Sequence, residues 1–315
     1  MKTILIILNT LTFILVLLGG TVHNTGSSLA CPDWPLCFGQ VFPKMEGAVA
    51  IEHSHRLLAA LVGLLTLAWL VMAHKSNSSK QKFLSKAATF FVIFQGTLGG
   101  LTVILKISPL MSTAHLVTSQ IFLSIIWVAL LLEIYAKNLP SSGALLPVSQ
   151  NFKWAPALIT FTLLQIGLGA FIRHSGASVS CGLGPDALWT CVDANDQLNK
   201  FWPTNLPGQF NMLHRFLGIA LMFAIIAGTM PTLKWAKKMG HTKIRVSNIS
   251  IHALILVQVV LGFATLYTGI DILMVTAHLL VAMLIWLSLW NLWALCATHE
   301  KSFSSSSEAS PVCAN

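Results

Sequence analysis

Apolar residues fall into eight long runs along this chain, near 3–20, 51–73, 86–105, 110–134, 154–172, 210–232, 248–269 and 272–296, with the polar residues gathered between them. A hydrocarbon core of about 30 Å takes roughly 20 apolar residues as a helix, so every run is long enough to cross it. The alternating period of a membrane barrel is absent. Backbone groups cannot stay unpaired in lipid, and with barrels excluded each run must be helical. The first run, after Met1-Lys2, is read as a first helix rather than a cleaved signal peptide, because it ends well before Cys31 and pairs with the run at 154–172.

That pairing belongs to a wider repeat. Thr25-Gly26-Ser27-Ser28, followed by Cys31 and Cys37, matches Ser175-Gly176-Ala177-Ser178, followed by Cys181 and Cys191. Gln95, Leu98, Gly99 and Thr102 match Gln258, Leu261, Gly262 and Thr265 at an offset of 163, and Thr113-Ala114-His115-Leu116 matches Thr276-Ala277-His278-Leu279 at the same offset. Three blocks in one order predict two tandem four-helix bundles. Four spans per unit return the chain to its starting side, so the repeat is parallel rather than inverted. The expected fold is therefore an all-α integral membrane protein with eight transmembrane helices in two halves, 1–137 and 153–297. A linker at 138–152, with Pro140, Ser141, Ser142, Gly143 and Pro147, joins them, and a low-complexity, disordered tail occupies 298–315, including Ser304 to Ser307.

Composition agrees with this class: 55% of the 315 residues are hydrophobic and only 9% charged, against about 25% charged in soluble domains. The net charge of +9 is not a nucleic-acid signature, because the basic residues sit in short connections, where they set topology. With both termini cytoplasmic, Lys75, Lys80, Lys82, Lys86, Lys137, Lys153, Lys234, Lys237, Lys238, Lys243 and Arg245 all face inward. No Arg-rich transit peptide precedes the first run, which points to a bacterial cytoplasmic membrane. Two long outer loops, 21–50 and 173–209, hold Asp33, Glu46, Asp186, Asp193 and Asp196 and are expected to be structured caps.

Candidate chemistry concentrates at the outer ends of the helices. Glu52-His53-Ser54-His55-Arg56 opens the second run, and Asn211-Met212-Leu213-His214-Arg215 opens the sixth, repeating the His-Arg pair at an offset of 159. Ionisable groups at membrane depth are costly and usually functional. His55, His115, His214 and His278 come to nearly common depth, one on each of two helices per half. Such facing imidazoles suit a planar macrocycle with its iron held axially; zinc would want three or four converging ligands. The other histidines are read as ordinary: His74, His241 and His299 in cytoplasmic connections or the tail, His23 and His174 in outer loops, and His252 as a buried hydrogen-bonding residue. His53 points to a different helix face from His55. Arg56 and Arg215 either snorkel or meet the propionates of a haem. Gly96 and Gly100 are taken as a small-residue packing pair.

Cys31-Pro-Asp-Trp-Pro-Leu-Cys37 and the wider Cys181/Cys191 pair sit on the oxidising side, where disulfides form. Such short loops would gain about 2–3 kcal/mol from stapling; a redox role for the first pair is the alternative, given its closeness to Glu52 and His55. Cys296 and Cys313 are expected inside as thiols.

Taken together, Cys31 to Cys37, Glu52-His53-Ser54-His55-Arg56, His115, His214-Arg215 and Ala277-His278-Leu279 resemble the haem A synthase family, over nearly the whole chain. The resemblance implies a haem-dependent oxidoreductase that converts haem O to haem A by oxidising the C8 methyl to a formyl group through successive hydroxylations. It implies that His55, His115 and Glu52 serve the substrate haem, with Glu52 catalytic, and that His214 and His278 bind the iron of a haem b cofactor. A haem O synthase upstream, a haem-copper oxidase downstream and an electron acceptor are its implied partners, and a homo-oligomer stays open. The residues themselves add that Asn211 stands where the first half has Glu52, so only one half carries an acid on the histidine face. A diheme cytochrome b-type electron carrier, or a haem carrier, remains the alternative function.

Overall fold

The computed structural model describes residues 1–135, 145–146, 149–187, 189–192 and 199–307. Lys137, most of the 138–152 linker, Asp193, Asp196 and Cys313 lie outside them. Among the described residues, eight helices are long and apolar enough to cross a membrane: α1 (Lys2–Asn24), α2 (Gly47–His74), α3 (Ser79–Ile104), α4 (Pro109–Tyr135), α5 (Ala155–His174), α6 (Leu206–Met239), α7 (Thr242–Tyr267) and α8 (Ile272–Ser307). The expected membrane-spanning all-α class is what the structure shows. Besides the helices, the described residues hold short 3-10 turns, a two-residue antiparallel ladder, Cys191–Val192 with Asn199–Lys200, and an isolated bridge between Cys37 and Gln40.

Where the helices start and stop differs from the hydropathy reading, for local reasons. Ser78 caps α3 by accepting from the Gln81 N–H, and Asn205 caps α6 by accepting from the Gly208 N–H at 2.7 Å. The apolar sixth run ends at 232, yet α6 passes through Pro231 and stops at Gly240, whose φ of 74° is the left-handed ending that glycine permits. Helices in membranes tolerate an internal proline when side chains re-satisfy the backbone. Polar residues at the outer ends are also helical: α1 includes His23 and Asn24, and α5 includes Arg173 and His174. His23 and His174 thus stand on helices rather than in the outer loops where the sequence reading puts them. At the other terminus α8 continues to Ser307, past residue 298, where that reading begins a disordered tail.

Packing closes two rings. α1 contacts α2 and α4, α3 lies between α2 and α4, and in the same manner α5 contacts α6 and α8 with α7 between those two. The rings meet through α1 and α4 on one side and α5 and α8 on the other. Buried Leu123, Ile126, Leu130, Trp286, Leu289 and Trp293 belong to the main hydrophobic core. Polar atoms are matched across the junction, where Trp127 Nε1 donates to the Leu287 carbonyl at 3.1 Å and Tyr135 to Asn291 Oδ1, and within the second ring, where Trp286 Nε1 donates to the Ile159 carbonyl at 3.0 Å. Large apolar side chains such as Phe90, Phe161, Leu164, Phe223, Leu256 and Val260 stay exposed around the outside, as a lipid-facing surface requires.

Candidate functional site

One cavity of about 1060 Å³ extends through both rings, with His55, His115, His214 and His278 all on its wall. It lies at the upper end of the roughly 300–1,000 Å³ usual for ligand sites. Each histidine ring is seated against a glycine of a neighbouring helix. A Cβ on Gly19 of α1 would lie 2.9 Å from His55 Cε1, and one on Gly169 of α5 would lie 2.8 Å from His214 Cε1. Gly99 of α3 meets His115 and Gly262 of α7 meets His278 at 3.2 and 3.3 Å in the same sense. A Cβ at Gly19 or Gly169 would force its ring to shift, and one at Gly99 or Gly262 would need only a few tenths of an ångström of give. His55 and His115 stand on α2 and α4 of the first ring, and His214 and His278 on α6 and α8 of the second.

Glutamines hold three of the four. Gln95 Nε2 donates to the His115 carbonyl at 2.7 Å, and Gln165 Nε2 donates to the His214 carbonyl at 2.7 Å while lying 3.0 Å from His214 Nδ1. Gln258 Nε2 lies 3.1 Å from His278 Nε2. At the position corresponding to Gln165, 150 residues earlier, the chain has Leu15, which has no side-chain donor to offer His55. The Nδ1 atoms of His55, His115 and His278 are buried without a hydrogen-bond partner. Buried polar atoms are normally satisfied, so these imidazoles fit a ligand.

Glu52 sits in this wall almost fully buried. Its Oε2 accepts from the Cys31 N–H at 2.8 Å and its Oε1 accepts from Arg56 Nη2 at 2.5 Å. Arg56 also donates to the carbonyls of Asp33, Leu36 and Cys31. This guanidinium, for which the sequence leaves snorkelling and propionate contact open, fastens the outer turn to α2. In the second ring Asn211 replaces the acid: its Nδ2 donates to the Ala177 and Ser178 carbonyls, and its Oδ1 accepts from Arg215 Nε at 2.8 Å. Arg215 Nη1 donates to the Ala187 carbonyl as well. Both arginines border the cavity, and both are committed to their caps.

The cysteines lie in those caps. Cys31 is joined to Cys37 and Cys181 to Cys191, with Cα separations of 4.8 and 4.1 Å. Neither pair lines the cavity, but Trp34, Pro35 and Leu36 of the first turn do. Trp34 lies on α3, where a Cβ at Gly100 would come within 2.8 Å of its ring, so Gly100 serves packing as expected, whereas Gly96 borders the cavity. Asp33 closes the turn by accepting from the Phe38 and Gly39 N–H groups, both at 2.7 Å. These bonds, Gly39 first, hold its carboxyl below the usual carboxylate range. His53 is buried and its Nε2 lies 2.8 Å from the Val41 carbonyl. It neighbours both sulfurs of the first pair, but sulfurs bonded to each other are not thiolate ligands. His252 bonds Thr229 as the sequence reading has it, but is half-buried rather than buried, and Cys296 is buried outside the disulfides.

Sequence reasoning misses the glycine seats at Gly19 and Gly169, the clasp of Gln165, and Arg173, His23 and His174, which also line the cavity. The offset of 150 between Gly19 and Gly169, the same as between Gly26 and Gly176, is the signal that could have found the seats.

Comparison with known proteins bears on the same span of chain. Curated relatives bear the name Heme A synthase: that of Bacillus licheniformis is 29% identical over 86% of this chain and 88% of its own length, and that of Bacillus pumilus 29% identical over 87% and 88%. The relative from Exiguobacterium sibiricum is 33% identical over 67% of each chain. A profile of the family described as Cytochrome oxidase assembly protein matches residues 2–290, the stretch that holds every cavity residue named above, and the chain therefore belongs to that family, among the haem A synthases.

Proposed function

We propose that this chain is a haem A synthase that oxidises the C8 methyl of haem O to a formyl group by successive hydroxylations. Its enzymatic character, as an oxidoreductase of haem A formation, follows from the family; the specific chemistry is our reading. The observation that carries it is the wall of one cavity: four glycine-seated imidazoles in two pairs, with a buried carboxylate beside only the first.

The residues fit a haem by two measures, the glycine seats that leave each imidazole room at the cavity and the buried Nδ1 atoms without partners. His55 and His115 would take the substrate haem O, and His214 and His278 a haem b cofactor. When bound, haem b supplies a redox-active iron that passes electrons towards an acceptor. Gln165 and Gln258 lie within hydrogen-bond distance of ring nitrogens of the second pair, which suits a permanent holder, whereas at His55 the corresponding residue is Leu15, which offers the ring only its backbone. Glu52 contributes a fixed negative charge on the cavity wall. Held by the Cys31 N–H and Arg56, it is placed to stabilise positive charge developing on a substrate carbon, or to take a proton from attacking water with an acceptor site it has left. The ring contacts and the matching caps support a four-helix unit used twice.

The protein works in this reading as a multi-pass protein of the bacterial cytoplasmic membrane, between a haem O synthase and a haem-copper oxidase. Haems extracted from a haem O-producing host are the test. Haem A appears only when the wild-type chain is present, and Glu52→Gln, which keeps shape and removes charge, loses haem A while bound haem b persists. Near-normal haem A from Glu52→Gln would remove the charge from the mechanism. Stably bound haem with no haem A from the wild-type chain would favour the diheme electron carrier.

A further inference from the structure

At the junction of the rings, the outer ends of α1 and α5 bring four polar side chains to the cavity wall: His23, Asn24, Arg173 and His174. The imidazoles of His23 and His174 meet edge to face, with centroids 4.2 Å apart. Arg173 Nε donates to Asn24 Oδ1 at 3.1 Å, and Asn24 Nδ2 reaches Thr276 Oγ1 of α8 at 3.4 Å, two residues from His278. The cluster thus sits between the wall that carries His55 and the wall that carries His214.

Its charge is unbalanced. Among the described residues, three arginines line the cavity, Arg56, Arg173 and Arg215, against one acid, Glu52. Glu52 is matched by Arg56, and Arg215 is tied to Asn211 and the Ala187 carbonyl. Arg173 has no acid facing it from the cavity wall, and among the described residues its Nη groups have no recorded protein partner. His174 Nδ1 is buried without a partner beside it. A guanidinium at the edge of the hydrocarbon calls for a counter-anion, and its planar fork matches a carboxylate in two-point contact.

We propose that Arg173, His23 and His174 form a carboxylate-binding site that receives the acidic side chains of a tetrapyrrole held in the cavity. The role that the Arg-after-His pattern suggests for Arg56 and Arg215 passes to a residue that no motif marks. This rests on the haem reading above, and the test separates the two.

Full-length chain purified from a haem-deficient host would be titrated with protohaem IX and with its dimethyl ester, followed by Soret absorbance. The ester keeps the ring and iron and loses both negative charges. The wild-type chain should prefer the diacid by about tenfold or more, the scale of a charge-assisted hydrogen bond. Arg173→Gln should bring that preference close to unity with ester binding retained, and Arg173→Lys should restore part of it. His174→Gln, a second variant that leaves the guanidinium in place, should narrow the preference less. An unchanged preference in Arg173→Gln would overturn the site and make Arg173 a snorkelling interface residue. Failure of the wild-type chain to bind either compound would overturn the haem reading and this site with it.

Discussion

At the residue scale, the seats decide more than the ligands do. A histidine can occupy many rotamers, but His55 and His214 are pressed so close to Gly19 and Gly169 that a single methyl group would collide with the ring at 2.9 and 2.8 Å. Gly99 and Gly262 leave a few tenths of an ångström more. Alanine at 19 or 169 should therefore displace its ring and strip or weaken haem binding, while alanine at 99 or 262 should be tolerated with a smaller loss. Haem content and Soret position of the four purified variants check this; equal losses in all four would mean that the seats do not set ring position. The histidines were legible in the sequence because imidazoles at membrane depth are costly enough to need a reason. The glycines were not, since a membrane helix uses glycine for many purposes and only the neighbouring ring says which.

At the element scale, the outer turn from Cys31 to Gln40 is a small folded unit. The disulfide, the Cys37–Gln40 bridge, the two bonds to Asp33 and four bonds from Glu52 and Arg56 tie its backbone down, and a further bond joins those two side chains. Asp33 gives it a pH dependence with a definite sign. Its carboxyl is held below its ordinary pKa by the Gly39 and Phe38 N–H groups, so its contribution is complete above the ordinary value and is lost as pH falls through the lowered one. Asp33→Asn should loosen the turn at neutral pH, read as faster proteolysis between 31 and 40 in the intact protein. The wild type should match the variant only in acid, below the ordinary carboxylate range. A wild-type turn equally labile at pH 7 and in acid would remove Asp33 from the account. The sequence showed that this loop was a cap, from its cysteines and turn residues, but not that it reaches α3 through Trp34, because no local pattern encodes that contact. Helix ends misread in the same way: His23 and Arg173 look like loop residues by hydropathy, yet polar side chains facing a cavity leave the helical backbone intact.

For the whole molecule, eight crossings return the chain to the side on which it began, and the lysine-rich connections after α2 and α6 choose that side. Both termini should be cytoplasmic. A reporter fused after Asn315 should be active when its activity requires the cytoplasm; activity confined to the periplasm would invert the topology and carry all four cavity histidines to the inner face. Number of crossings and class were plain from the eight apolar runs. The single continuous cavity was not, because hydropathy places each helix in the bilayer without saying which others it touches.

The order of ring contacts has a consequence for how the protein is made. Each ring is closed by helices consecutive in the chain, α1 to α4 and then α5 to α8. Once Tyr135 has left the ribosome, every helix needed to complete the first ring is available to the membrane, and the outward faces of α1 and α4 still await partners. Insertion can therefore proceed as two successive closures, the first serving as the template on which α5 and α8 dock, rather than as one search among eight free helices.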